Sequence, residues 1–494
     1  MRRVLTCAAL CLAVVAGSAH AFCGFYVSSA GADLFADASM VVLMRDGTRT
    51  VLSMQNNYRG PPEDFALVIP VPVVLQKANV KTLPNEVFAR IDQLASPRLV
   101  EVYEPGPCPP PAPVPSMALR SAGGPGGPPK DLGVKVEAKF DVEEYEIVIL
   151  SAKDSLGLEI WLKENKYKIP ANAEPLLKPY VQTNWKFFVA RVNAKKVKFV
   201  DGQAVLSPLR FFFDHESFQL PVRLGLVNSA GTQDLIVQVI AKSRYEVANQ
   251  KNVLVPTNVE LVASAQPEFP AIYTDFLDRT FKANPGAVVT EFAWKGALPP
   301  PRKLVNQGIY GVTCDPCPPP VPVDDPLARF LGADALPGVK TDEDVGKFAS
   351  EATITRLHLR YTKDSLTDDV VFKAVPPIAG GVPEVKTPGP AEANRFQGRY
   401  ILRKPFDPNM CWRGRFGGGA MGGGAAPSPV SATFGLPGGS MSFAGAAKPK
   451  DGKTTTASLS KPLEQFLITD IPELKLKAKG KAPEPVKSPP APAQ

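Results

Sequence analysis

Residues 38 to 75 constrain this chain more than any other stretch. An apolar run, Met40 to Met44, meets Asp46-Gly47 and leaves through the β-formers Thr48 to Met54. Asp-Gly supplies the positive φ angles of a tight hairpin turn. A third run, Phe65 to Val71, follows the Gly60-Pro61-Pro62 turn, and Pro70 and Pro72 close it because proline cannot donate to a sheet ladder. The expectation is a small meander whose middle is apolar on both faces. Strands of that kind have to be covered on both sides, so the stretch demands a large surrounding body.

At 494 residues the chain exceeds what one hydrophobic core supports, and two or more lobes are expected. Its 53 prolines are double the usual share of about 5% and fall in blocks, the pattern of linkers between compact pieces. Residues 105–130 hold ten Pro and five Gly, which predicts an extended linker. A second block, 296–326, carries Cys314-Asp315-Pro316-Cys317.

The amino terminus reads as an export signal over residues 1–21. Arg2 and Arg3 precede an apolar core from Val4 to Ala16 and the small-x-small pattern Ala19-His20-Ala21. The mature chain is expected to begin at Phe22. The apolar stretch is too short for the ~20 residues of a membrane span, and no transmembrane segment is expected after signal removal. The net charge of +8 does not point to nucleic acid. Two arginines leave with the signal, and nine Lys against five acids concentrate from Lys448 onward, which leaves +2 for residues 22–447. A near-neutral body lacks the basic face that phosphate binding requires.

Periodicity supplies the elements between. Val87, Phe88, Ile91, Leu94 and Ala95 recur at helical spacing after Thr82 and Pro84, predicting a helix over 83–95. Arg98 to Glu104 alternates as a strand, as do 134–142, 145–150, 185–192, 209–213, 287–294, 353–361, 370–373 and 399–403. Leu220 to Val227 and Leu235 to Ala241 are expected to form a hairpin through Asn228 to Gly231. Helices are expected after Asp154-Ser155 and Pro175, and over 272–281. Gln76-Lys77-Ala78-Asn79-Val80 and Gln250-Lys251-Asn252-Val253 each precede a helix, a strand and a Cys-Pro-Pro-Pro run, which raises an internal duplication. Beyond Cys411-Trp412 the sequence is Gly, Ala, Pro, Lys and Ser with one apolar island, Phe466 to Ile471, a composition that does not offset the entropy of ordering.

Several ordered motifs resemble a known family: Phe22-Cys23-Gly24-Phe25 after the signal, Glu63-Asp64-Phe65-Ala66-Leu67-Val68-Ile69-Pro70-Val71-Pro72, Trp161-Leu162-Lys163-Glu164-Asn165-Lys166-Tyr167, Pro179-Tyr180-Val181 and Pro221-Val222-Arg223-Leu224. The chain resembles the exported bacterial family catalogued as domain of unknown function 2330, over roughly residues 22 to 411. The resemblance implies export and one long family region; it brings no activity, fold or catalytic residue.

Candidate chemistry is sparse. His215 lies in Asp214-His215-Glu216-Ser217, the residue types of a hydrolase triad, but chain neighbours point apart and a loop is expected. His358 sits between Arg356 and Arg360 on a strand face that reads polar, and exposure is expected. No catalytic residue, metal site or cofactor is expected. Cys23, Cys108, Cys314, Cys317 and Cys411 remain in the mature chain as candidate disulfide cysteines, two bridges at most. Cys314 and Cys317 are the alternative redox pair, opposed by Pro318 to Pro320, which do not build the helix amino terminus such pairs use. The pairs Glu143-Glu144, Asp324-Asp325 and Asp368-Asp369 read as solvated acids, because adjacent strand residues face opposite sides.

The expected fold is α+β and strand-dominated, two or three packed β-rich lobes with a few covering helices and proline-rich linkers. The divisions are a signal peptide at 1–21, an N-terminal lobe at 22–104, a linker at 105–130, a central lobe at 131–295, a Cys-containing linker at 296–326, a C-terminal β segment at 327–412 and a disordered tail at 413–494. The expected function is a non-catalytic binding or structural component of the cell envelope or extracellular space, periplasmic or secreted, with an envelope or extracellular partner. The alternative is an envelope thiol-disulfide oxidoreductase.

Overall fold

The predicted hairpin forms where Asp46-Gly47 requires it. Ser39–Asp46 and Arg49–Met54 pair antiparallel from Val41↔Met54 to Asp46↔Arg49, with Gly47 at φ 57° in the two-residue turn. The computed structural model describes residues 25–28, 35–36, 39–55, 58–59, 65–104, 139–152, 155–164, 173–200, 203–228, 232–298, 327–362, 365–406 and 459–484. The signal peptide, the linker at 105–130, residues 299–326 and most of the tail lie outside them, as do all of the chain's cysteines.

The hairpin sits inside an eleven-stranded sheet. Its spatial order is Gly389–Pro390, Ile378–Gly380, Arg395–Gln397, Val288–Lys295, Thr353–Tyr361, Gln233–Ala241, Ser39–Asp46, Arg49–Met54, Leu209–Asp214 and Val80–Thr82, with Asn252–Leu254 beside Val288–Lys295. Both faces of the hairpin are buried, with a strict period of two. Val41, Leu43, Leu52 and Met54 enter one core, and Met40, Val42, Met44 and Val51 enter another.

Phe65–Val71 does not extend this hairpin, so the expected meander is corrected. It pairs antiparallel with Phe25–Ser28 and Lys186–Val192 in a second, five-stranded sheet that continues through Tyr145–Ser151 to Lys139–Val142. The reason is alternation. Leu67, Ile69 and Val71 face the first core across from Leu43 and Phe211, while Val68 faces the opposite way.

The helices are α1 (Glu86–Ala95), α2 (Ser155–Glu164), α3 (Ala173–Gln182), α4 (Phe269–Ala283), α5 (Leu327–Leu331) and α6 (Asp342–Glu351). Leu158, Leu162, Leu177 and Tyr180 of α2 and α3 cover the outer face of the five-stranded sheet. Residues of α1, α5 and α6 cover the outer face of the long sheet. The order is therefore helices, sheet, core, sheet, core, helices. A third core lies to one side, where α4 packs on a parallel sheet of Val259–Val262, Arg399–Lys404 and Arg98–Tyr103. Among the described residues no helix is long and apolar enough to cross a membrane.

The architecture is strand-dominated α+β, and it departs from the sequence-based divisions in four ways. Segments 22–104, 131–295 and 327–412 each contribute strands to the long sheet, so they interleave where successive lobes were expected. The Leu220 to Val227 strand is a 3-10 turn over Arg223–Asn228, because the Val222 and Arg223 amides donate to Asp369 Oδ1 at 3.1 and 3.3 Å and are not available to a ladder. The two echoed segments make different pairings: Val80–Thr82 is antiparallel to Leu209–Asp214, while Asn252–Leu254 is parallel to Val288–Lys295. Finally, residues 459–484 of the expected disordered tail pack on the third core, with Leu463, Phe466, Leu467, Ile471 and Leu476 buried.

Candidate functional site

Among the described residues, the largest connected set of ionisable groups lies on the helix-covered face of the long sheet. Along Thr353–Tyr361, Leu357, Leu359 and Tyr361 enter the core between the sheets, and Ile354 enters the core beneath α1. Arg356, His358 and Arg360 share the Ile354 face by alternation. The exposed His358 of the sequence reading is corrected: it is buried, as is Arg356. The face does carry polar residues, but helices lie over it.

Three elements bring the partners. In Gln233–Ala241, Asp234 stands opposite Arg360 and Gln238 opposite Arg356. In Val288–Lys295 the register slips between Thr290 and Phe292, so Glu291 is the extra residue of a bulge, the kind of irregularity that re-aims a side chain. From α1, Asp92 points inward among Phe88, Ile91 and Ala95.

The contacts form one chain. Arg356 Nη1 donates to Asp92 Oδ1 at 2.5 Å, and its Nε donates to Glu291 Oε2. Glu291 Oε1 accepts from Tyr273 Oη of α4 at 2.5 Å and lies 3.2 Å from His358 Nδ1. His358 Nε2 is 3.4 Å from Asp234 Oδ1, out of hydrogen-bond alignment. Asp234 takes both arms of Arg360 at 2.6 and 2.8 Å, and Arg360 also donates to Asp278. Phe281 closes the end, its ring edge-on to His358 and under the Arg360 guanidinium. The side chains of Arg356 and Glu291 are each 1% exposed, while Asp234 is 32% exposed, so the chain runs from the interior to the surface.

Charge compensation decides the protonation states. Burial opposes an ionised Glu291, but Arg356 and His358 outweigh it and hold the carboxyl at about 2. Burial likewise opposes a charged His358, and Glu291 and Asp234 reverse that and raise it to about 9. Asp92 behaves differently: burial raises its pKa, and Arg356 offsets only part of the effect. Tyr273 is pushed well up by burial and by the Glu291 charge. The raised pKa favours the imidazolium form of His358, whose ring nitrogens lie 3.2 and 3.4 Å from carboxylate oxygens of Glu291 and Asp234. The arrangement holds charge in place, and its chemistry is that of an internal ion lock.

Smaller constellations resolve in the same structural direction. His215 follows Leu209–Asp214 in a loop, as expected; its Nδ1 lies 3.3 Å from the Ser217 carbonyl, while Ser217 Oγ donates to Gln219 and Asp214 accepts both arms of Arg49. The acid pairs are corrected in one member each. Glu143 is exposed, but Glu144 is buried and accepts from the Ser207 amide at 2.6 Å. Asp368 is exposed, but Asp369 is buried and accepts from Tyr180 Oη at 2.6 Å as well as from the two amides above. Asp324-Asp325 lies outside the described residues. So do Cys23, Cys108, Cys314, Cys317 and Cys411, and with them both the stapling and the redox readings.

Sequence reasoning missed Asp92, Asp234, Glu291, Arg356 and Arg360. A usable signal existed at Asp92, a carboxylate within the apolar stripe of an amphipathic helix. Its partner is 264 positions away, and no local pattern connects the two.

The fold and this network define a class: a strand-dominated α+β body of two covered sheets, crossed by a buried ion chain. More particularly, the chain belongs to the family described as an uncharacterized protein conserved in bacteria, DUF2330, whose model matches residues 17–373. Every residue of the ion chain falls within that match. No curated protein and no solved structure matches this chain.

Proposed function

We propose that this is an exported, non-catalytic protein, a binding or structural component of the cell envelope or the extracellular space. The observation that carries the reading is the placement of the ionisable groups. Arg356, Glu291 and His358 lie beneath α1 and α4 and pair with one another and with Asp92 of α1, so they hold the body together and do not face a substrate. Support for export comes from Arg2, Arg3, the Val4 to Ala16 apolar core and Ala19-His20-Ala21. A fixed body with long proline-rich connections suits presentation of surfaces to a partner outside the cytoplasm.

The test is the intact mass of the protein recovered from outside the cytoplasm, alkylated with and without reduction and mapped by peptide. A chain beginning at Phe22 with Cys314 or Cys317 bonded to a distant cysteine is the expected result. A chain retaining Met1 overturns the export reading, and a readily reduced Cys314–Cys317 bond moves the oxidoreductase alternative to the front.

A further inference from the structure

Residues 459–484 are held on the body as a peptide is held in a groove. The Val259–Val262 strand pairs on one side with Arg399–Lys404. Its other edge is taken by the tail segment: the Val262 amide donates to the Phe466 carbonyl at 3.0 Å, the Ile468 amide donates to the Glu260 carbonyl at 2.8 Å, and Leu261 stands opposite Leu467 in an antiparallel bridge. This is strand addition to an open sheet edge, where main-chain bonds give affinity and alternate side chains enter pockets. Phe466 and Leu467 are fully buried against α4 and Tyr400, with Leu463, Ile471 and Leu476 beside them. Ser460 donates through its amide and its hydroxyl to the Glu268 carboxylate just before α4, at 2.8 and 2.6 Å.

The segment also closes on itself. Ile471 and Leu476 exchange backbone hydrogen bonds, the Lys479 amide donates to the Glu464 carbonyl, and the Gly480 amide donates to the Leu467 carbonyl. A Cβ on Gly480 would come within 2.7 Å of Leu467 O and of Val262 Cγ1. The result is a clip with its own internal bonds, seated by an apolar row and one strand edge.

Roughly fifty residues separate this clip from Phe406, and they include the glycine run at 417–424. Adjacent strands lie about 5 Å apart, so the docking edge is on the order of 10 Å from the Arg399–Lys404 strand that leads into the tether. A handful of residues would span that distance. A chain of about fifty residues has a contour length on the order of 170 Å, so its length alone does not confine the segment to its own body.

We propose that the open edge of Val259–Val262 and the adjoining face of α4 form a peptide-docking site whose ligand is this chain's own 459–484 segment, bound in cis at low concentration and exchangeable with the same segment of a second copy. Tethering places the cis ligand at an effective concentration on the order of millimolar, so exchange between intact molecules becomes visible only at high protein concentration or after the tether is cut.

The experiment keeps the full chain. A protease site replaces Gly417–Gly424, the protein is folded and then cleaved, and labelled synthetic peptide 459–484 is added. Cleaved protein is expected to retain its fragment at first, to exchange it for the labelled peptide at one per body, and to bind at least tenfold more tightly than uncleaved protein. A peptide carrying Phe466→Ala is expected not to exchange. Hydrogen exchange at Thr353–Tyr361 reports that the body stays folded throughout. Failure of the labelled peptide to enter the cleaved protein over days, or loss of protection at Thr353–Tyr361 when the fragment leaves, overturns the proposal, because either outcome makes the segment an integral part of the fold.

Discussion

Glu291 and Asp92 hold the same guanidinium, yet burial acts on them with opposite net results. Glu291 answers two cations, Arg356 and His358, and stays ionised; Asp92 answers one, and its pKa is raised. Neutral isosteres separate the two roles. Glu291→Gln leaves a buried arginine and imidazolium without their shared carboxylate and is expected to cost about 3 to 5 kcal/mol in denaturant unfolding. Asp92→Asn keeps an oxygen for Arg356 Nη1 while removing a charge that burial disfavours, and a loss of about 1 kcal/mol or less is expected. Equal losses at the two sites would contradict this assignment. Backbone chemistry supplies a second residue-level expectation. Gly381 has φ 68°, and a Cβ there would stand 1.8 Å from the Gln397 carbonyl oxygen, so Gly381→Ala is expected to lower stability by at least about 2 kcal/mol. Local sequence carried part of this information. The shared face of Arg356, His358 and Arg360 was legible from period two; its burial was not, because the covering residues come from α1 and α4, far away in the chain.

Elements were legible where periodicity and turn chemistry agreed. The Asp46-Gly47 hairpin, α1, α4 and Thr353–Tyr361 all follow from pattern. The errors arose where a side chain from elsewhere took over the backbone. At Arg223–Asn228, Asp369 claims two amides that a strand would have used, and the apolar Val222 and Leu224 are buried without alternating along a ladder. Asp369→Ala removes that acceptor and the partner of Tyr180, and is expected to cost about 2 to 4 kcal/mol and to accelerate amide exchange at Val222 and Arg223 before it does so in the long sheet. The tail segment shows the same limit of local reading. Its apolar residues are too few to fold alone, and only the α4 groove gives them somewhere to be buried. Phe466→Ala is expected to speed exchange of the Val262 amide, whose acceptor is the Phe466 carbonyl, while Thr353–Tyr361 keeps its protection.

For the whole molecule, the ion chain matters because of what it joins. Asp92 comes from the N-terminal stretch, Asp234, Tyr273 and Glu291 from the central one, and Arg356, His358 and Arg360 from the C-terminal one. The three stretches that sequence set apart as lobes interleave in one sheet, and the network lies across the interleaving. Proline-rich spacing in the sequence suggested separations that strand pairing overrides, since pairing partners are chosen by face and edge and not by distance along the chain. A buried network that spans the molecule makes stability depend on pH with a definite sign. His358, raised to about 9 from its ordinary value of about 6.5, contributes fully below the lower value, and the contribution is lost as pH rises through the upper one. Glu291, held at about 2, contributes above its ordinary value of about 4.3 and loses that contribution as pH falls toward 2.

The most direct measurement is denaturant unfolding of the wild-type protein and His358→Gln from pH 5 to 10. Wild type is expected to lose stability between about pH 6.5 and 9, with His358→Gln less stable at pH 6 and nearly flat over that window. Superimposable profiles for the two proteins would contradict the ion lock, and with it the claim that this buried cluster of ionisable groups holds the three stretches together.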